Sequence, residues 1–368
     1  MRRHSRITIL SVLLLSLFAT IVVLYVSSYS KSFYNIPPKI KLAQKLELNK
    51  NYKIEGLNFQ SNSGQQVKTT NKVSEQLAIL FPFDENLPIP KILWQTWKVG
   101  LEDESFPEKY KIYHQTWTEK SPEYEYNVLS DKKCAQLVNE LYKDIPDVIK
   151  AYHAMPKIIL KVDFFRYLIL FAKGGTYSDM DTVSLKPFKD WPSSQSEYLG
   201  EPINPGLVVG IEADPDREDW ADWYARRVQF CQWTILSKKG HPMLRELIAK
   251  ITTITLAREL AGQLNEVFDK TNNKNDVLNW TGPGIFTDLV FRYLNLMLQS
   301  KEVKDNDRIE EVVGIEFFTH MEQPIVIENI MILPITCFSP SDTKMGAKGP
   351  NDPLSLLDHG FDSSWKEP

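Results

Sequence analysis

Two aspartates one residue apart, Asp179-Met180-Asp181, stand in a short β-prone run from Thr176 to Val183. In a strand successive side chains point to opposite faces, so both carboxylates project from one face and Met180 from the other. Two carboxylates held together repel one another, and a shared divalent cation relieves the repulsion. Hard oxygen ligands suit Mn²⁺ or Mg²⁺, ions that also neutralise a diphosphate. Asp179 and Asp181 are therefore a candidate metal site for a nucleotide-sugar. A bare acidic pair is more often a solvated turn, so the flanking residues must decide.

The elements that must position this pair lie just upstream. An apolar helical pattern (Phe164, Phe165, Leu168, Ile169, Phe171, Ala172) runs into Gly174-Gly175. On that helix Asp163 and Arg166 are three residues apart and share a face. Asp163 can accept hydrogen bonds from a ribose or base, and Arg166 can offer its donor fork to a phosphate or hold Asp163; an ordinary surface ion pair is the alternative. The glycines either end the helix or let backbone approach a donor closely. The order D-x-x-R-Y-x-x-L-x-x-x-G-G-x-Y-x-D-x-D, from Asp163 to Asp181, resembles the fungal outer-chain (initiation-specific) α-1,6-mannosyltransferase family, DXD-containing glycosyltransferases of family 32. The resemblance extends from about Ile89 to the C-terminus.

That resemblance implies an α/β fold of GT-A type, a Rossmann-like sandwich with a nucleotide half and an acceptor half. It implies a retaining transfer of mannose from GDP-mannose, with Mn²⁺, to the core of an N-linked high-mannose glycan in α-1,6 linkage in the Golgi. Asp179, Asp181 and Arg166 would be catalytic, and Asp179, Asp181 and His359 would hold the metal. The donor would meet Trp97, Asp163, Arg166, Gly174, Gly175, Tyr177, Asp179, Thr281, Gly282, Ser364 and Trp365. The family motif T-G-P-G is Thr281 to Gly284, and its His followed by Ser-Trp is His359 with Ser364-Trp365. Two other readings stay open: a mannosyltransferase acting on inositol phosphoceramide, and a non-catalytic glycan-binding subunit of a mannosyltransferase complex. Complex subunits are accordingly possible partners of the enzyme as well.

Several of these positions also carry a reading of their own. Pro88 to Trp97 is an apolar β-prone run entered through prolines, and its terminal Trp97 would stand near the carboxyl edge of a sheet, against a base or in the core. Phe106 to Glu119 reads as helix and Tyr124 to Ser130 as a strand running into a helix capped by Ser130 or Asp131. This alternation indicates a parallel sheet. Leu207 to Asp214 reads as a buried strand, followed by Trp220, Trp223, Tyr224 and Trp233. Tryptophans among carboxylates suit a sugar acceptor, with one or two of the rings facing it, and make Glu212 and Asp214 acceptor candidates. His241-Pro242 opens a helix to about Ile254, and the chain to Asn279 continues as a polar loop. Asn279-Trp280-Thr281 is a glycosylation sequon that a pocket position would leave unmodified.

The whole chain sets outer limits. At 368 residues and 43% hydrophobic it can bury a full core, and a net charge of −4 with scattered Lys and Arg argues against a nucleic-acid partner. Cys134, Cys231 and Cys337 lack metal spacing and allow at most one disulfide. Arg2, Arg3 and Arg6 precede an uncharged run, Ile7 to Val26, about 20 residues long and sufficient for a ~30 Å hydrocarbon core. The expected organisation is a cytoplasmic tail (1–6), a transmembrane signal anchor (7–26), a luminal stem (27–87) and a catalytic domain (88–368), in type II topology.

Overall fold

The computed structural model describes residues 53–54, 57–58, 72–215, 217–265, 273–299 and 313–362. The expected membrane span, most of the stem, Ser364 and Trp365 lie outside the described residues. Among those described, no helix is long and apolar enough to cross a membrane.

In chain order the main elements are α1 (Val73–Leu80), β1 (Ile92–Trp97), α2 (Glu108–Lys120), β2 (Glu125–Ser130), α3 (Asp131–Leu141), α4 (Pro146–Ala154) and α5 (Ile158–Lys173). There follow β3 (Gly175–Ser178), β4 (Thr182–Ser184), β5 (Leu207–Ala213), β6 (Gln229–Ser237), α6 (Pro242–Leu260), α7 (Asn273–Trp280) and α8 (Pro283–Gln299). The last elements are β7 (Ile325–Ile327), β8 (Ile330–Leu333), α9 (Ile335–Phe338) and β9 (Leu357–His359). Seven strands form one mixed sheet in the order β7-β8-β5-β6-β3-β1-β2. β1 runs parallel to β2 and β3, and β8 parallel to β5. β6 lies antiparallel between β3 and β5, so the sheet is not the wholly parallel one that the strand–helix alternation indicates.

Alternation along the strands sorts side chains into two apolar layers. Trp94, Val209 and Ile332 face the larger layer with α1 and α3 to α6, whereas Leu93, Val208 and Met331 face a smaller one with Trp117, Trp191 and Phe338. α5 is apolar almost all round, and eleven of its sixteen residues are buried, so Asp163 and Arg166 lie inside the protein. Ser130 caps α3 by accepting from the Lys133 N–H.

Two boundaries differ from the sequence reading. α1 places Leu77 in the core, with Phe81 against Phe171 and Tyr142, so the folded unit includes residues assigned above to the stem. The polar stretch before Trp280 holds a helix, α7, because Val277 and Trp280 find buried sites and Trp280 Nε1 donates to Thr255. The three cysteines are free and buried.

His241 is fully buried at the start of α6, its Nδ1 accepting from the Met243 N–H and its ring edge-on to Phe83. Burial lowers its pKa from 6.5 to about 3, against an opposing hydrogen bond with Asn329 and with the charges of Lys238 and Arg245 adding to the fall. A folded pKa below the unfolded one favours folding above pH 6.5 and loses that advantage as pH falls toward 3. Between pH 7 and pH 5 this group alone should cost on the order of 2 kcal/mol. In His241→Asn, which keeps a capping oxygen but does not titrate, urea midpoints should fall less over that interval, from a lower value at pH 7.

Candidate functional site

The strand ends facing one edge of the sheet bring the site together. β1 and β3 deliver Trp97 and Asp179 at their carboxyl ends, β5 delivers Glu212, and antiparallel β6 brings Gln232 and Trp233 to the same edge. These residues line one cleft with Asp163, Arg166, Asp181 and His359, and with Leu278 and Pro283 on its far side.

Asp179-Met180-Asp181 is a turn rather than strand: β3 ends at Ser178, and the Thr182 N–H and hydroxyl both donate to the Asp179 carbonyl, at 3.2 and 2.7 Å. The carboxylates converge nonetheless, and Met180 points away into the Phe106–Tyr110 cluster. The two acids are held differently. Asp179 accepts from the Tyr177 hydroxyl at 2.8 Å and meets the Arg166 guanidinium at 3.4 Å. Asp181 meets His359 Nε2 at 3.2 Å and accepts from the Asp362 N–H at 3.1 Å.

Arg166 is wholly enclosed. It pairs with Asp163 at 2.9 Å, donates to the Gln232 carbonyl at 3.1 Å, and lies over the Tyr177 ring at 4.8 Å. Asp163 in turn accepts from the Thr281 hydroxyl at 3.1 Å and the Gln232 amide at 3.3 Å. Burial pushes the Asp163 carboxyl up to about 6 against the pull of Arg166. Burial also raises Asp179, with Arg166 opposing and Asp181 adding to the rise. For Asp181 burial is outweighed by the hydrogen bond and charge of His359 and the Asp362 N–H, so its carboxyl lies below the usual range.

His359 comes from β9, which pairs antiparallel with β4 and so carries the C-terminal segment back to the Asp-Met-Asp turn. Its ring stacks on Trp233 at 4.2 Å and is met edge-on by Phe361. Past it the Gly360 N–H donates to the Asp181 carbonyl at 2.7 Å, and Asp362 is tied to Lys109 at 2.7 Å and to the Tyr110 hydroxyl at 3.0 Å. One oxygen each of Asp179 and Asp181 and a nitrogen of His359 lie within 4.8 Å of one another. Adjacent ligands of an octahedral ion with bonds near 2.1 Å are about 3 Å apart, so the Asp181–His359 separation and the donor types suit such an ion. The Phe361 N–H donates to His359 Nδ1 at 3.2 Å, which puts the ring proton on Nε2. A cation held through Nε2 would require the other tautomer, with the proton on Nδ1 and the Phe361 N–H turned to another acceptor.

Other expected residues fall elsewhere. Trp97 lines the cleft, edge-on to Tyr110 at 4.5 Å with the Lys98 ammonium 5.9 Å from its ring. Tyr177 is buried, and its phenol supports Asp179 and Thr96. Gly174 and Gly175 stand at the opposite end of β3 from Asp179, and their close approach is to the protein's own backbone: a Cβ on Gly175, at φ +99°, would lie 2.6 Å from the Ile92 carbonyl. Thr281 is buried against Asp163, and both the Thr281 and Gly282 N–H groups close α7 on the Val277 carbonyl, so neither faces a ligand. Asp214 is spent on Arg227 at 2.5 Å, the Thr319 hydroxyl and the His320 N–H. The sequence reading missed Gln232 and the Lys109–Asp362 tie. A lone glutamine amid Phe230, Cys231 and Trp233 was the available signal for the first.

A carboxylate pair braced by a buried arginine and joined by a histidine, at a sheet's carboxyl edge, is the arrangement of a DXD glycosyltransferase. The family described as "Glycosyltransferase sugar-binding region containing DXD motif" matches residues 107–198. The chain is 55% identical to the initiation-specific alpha-1,6-mannosyltransferase of Candida albicans over 93% of this chain and 88% of that protein. It is 38% identical to those of Saccharomyces cerevisiae (81% and 82%) and Schizosaccharomyces pombe (88% and 76%). The chain belongs to the initiation-specific α-1,6-mannosyltransferase family and is a mannosyltransferase.

Two substitutions separate bracing from ligand contact. Gly175→Ala should lower stability by about 2 kcal/mol or more through strain against Ile92, while nucleotide affinity of the folded fraction stays unchanged; urea unfolding and equilibrium dialysis read the two effects. Arg166→Met strands Asp163 without its cation and should cost about 3–5 kcal/mol in the same unfolding assay.

Proposed function

We propose that this chain transfers mannose from GDP-mannose, with Mn²⁺ at Asp179, Asp181 and His359, onto an N-linked high-mannose glycan in α-1,6 linkage with retention of configuration. The convergence of those three side chains in one cleft carries the reading, together with the family the chain belongs to. The mixed α/β sheet, with its site at the carboxyl edge, supports a fold of GT-A type.

The chain's own residues divide the work. Arg166 holds Asp163 and Asp179 in place from behind and opposes the rise that burial imposes on both carboxyl groups. His359, clamped between Trp233 and Phe361, presents its nitrogen beside Asp181. Trp97 offers an aromatic face for the guanine in the cleft wall, and Phe361 lines the same cleft and helps to exclude water. A bound divalent ion supplies charge stabilisation for the departing diphosphate. Ser364 and Trp365 are proposed as further diphosphate contacts.

The basic residues before the uncharged run 7–26 support a single-pass type II protein of the Golgi membrane with its catalytic part in the lumen. Subunits of a mannosyltransferase complex are possible partners there.

Because α1 is part of the core, the test uses the full chain in detergent, with GDP-mannose, Mn²⁺ and a labelled high-mannose glycan, beside Asp181→Ala. The expected outcome is a new α-1,6-linked mannose, lost with EDTA and lowered at least about 100-fold in the variant. Failure of the folded wild-type protein to bind GDP-mannose in Mn²⁺ would sink the reading. Binding without transfer would move the acceptor to another class, such as inositol phosphoceramide.

A further inference from the structure

The cleft contains a carboxylate that neither the metal cluster nor the Arg166 network uses. Glu212 stands at the end of β5, partly buried, with Oε1 accepting from Trp233 Nε1 at 3.2 Å and Oε2 from the Gln229 amide at 2.8 Å. Both donors are neutral, and among the described residues no lysine or arginine pairs with it. Burial raises its carboxyl against these hydrogen bonds and the charge of His359. A carboxylate has about four acceptor positions, and two are taken here. The plane of the group is fixed, and its remaining lone pairs are available to the cleft that Glu212 lines with Asp179 and His359. Asp214, two residues on, has three of its positions taken and is paired with a cation, Arg227.

The segment 214–228 joins the cleft ends of β5 and β6. Arg226 fixes it to Asp288 at 2.7 Å and to Asn279 at 2.9 Å, beside Leu278 and Pro283 of the cleft wall. On this segment Trp223 is 61% exposed, with the Arg217 guanidinium 5.6 Å from its ring. The Gln229 amide that donates to Glu212 accepts in turn from the Ala225 and Arg226 N–H groups, at 3.0 and 3.3 Å, which sets the segment beside that carboxylate. An exposed indole on the segment beside a carboxylate held only by neutral donors matches the two surfaces of a pyranose, a C–H face and a ring of hydroxyls.

We propose that Glu212 and Trp223 form the acceptor subsite: Glu212 accepts hydrogen bonds from hydroxyls of a mannose unit, and Trp223 stacks on the ring of that unit or its neighbour. This rests on the mannosyltransferase reading above for the identity of the sugar. It assigns the acceptor to the β5–β6 side of the cleft.

The test uses the full chain in detergent and resolves donor from acceptor kinetics. Glu212→Gln should raise the acceptor KM by roughly tenfold or more, the effect of losing hydrogen bonds to a charged acceptor, with the KM for GDP-mannose within about twofold. Trp223→Ala should raise the acceptor KM by about fivefold and Trp223→Phe by much less. A parallel loss of GDP affinity in Glu212→Gln would show that Glu212 acts through Trp233 and His359, and unchanged acceptor KM values in both variants would likewise overturn the subsite. Saturation-transfer NMR with α-mannotriose provides a readout that needs no turnover: signals from the sugar C–H groups are expected with wild type and not with Trp223→Ala. Their absence from wild type counts against the subsite, whereas failure to bind GDP-mannose counts against the donor reading instead.

Discussion

The site depends on one buried guanidinium. Arg166 ties α5, β3 and β6 together by pairing with Asp163, meeting Asp179 and donating to the Gln232 carbonyl, with the Tyr177 ring stacked beneath it. A single carboxylate in so poorly solvated a place would rise in pKa and tend to neutralise, and two would repel as well. Sharing one planar cation between them opposes that rise and fixes where Asp179 points. The architecture around it follows. α5 must be buried on all sides to bring Arg166 under the sheet, and must stop at Gly174 so that β3 can run back and set Asp179 in front of it.

The second aspartate is supported from the opposite side of the molecule. Asp181 owes its position to His359 and to the backbone of residues 360–362, and these in turn to Lys109 and Tyr110 of α2. The cluster therefore has a half built into the core and a half supplied by the C-terminal segment. Trp233 links them, since its backbone carbonyl accepts from the Asp179 N–H while its ring stacks on His359. The same indole also donates to Glu212, so one side chain touches both the metal cluster and the acceptor side.

What the sequence disclosed were spacings enforced by local geometry. Asp163 and Arg166 must share a helix face, and the positions of β1, β2 and β5 follow from apolar runs between turn residues. The spacing of Asp179 and Asp181 told of their convergence, though by way of a turn rather than a strand. What it did not disclose depends on partners distant in the chain. β6 reads like any buried strand, and its antiparallel direction is set by its neighbours. Gly175 looks the same whether its missing side chain admits a ligand or the Ile92 carbonyl. Asp214 and Glu212 are equivalent in sequence, and only the presence of Arg227 and His320 around the first shows that it is occupied. The helix α7 defeated composition because two buried apolar residues outweigh its asparagines.

The pairing of β9 with β4 has a consequence for biosynthesis. Asp179 and its arginine can be in place once β6 has emerged, since every group that braces them precedes Ser237 apart from Thr281 on Asp163. Asp181 and His359 cannot meet until the polypeptide has been made and delivered as far as Asp362, so the ligand cluster is among the last features to form during vectorial synthesis. The cluster thus rests on a contact between positions 181 residues apart in the chain.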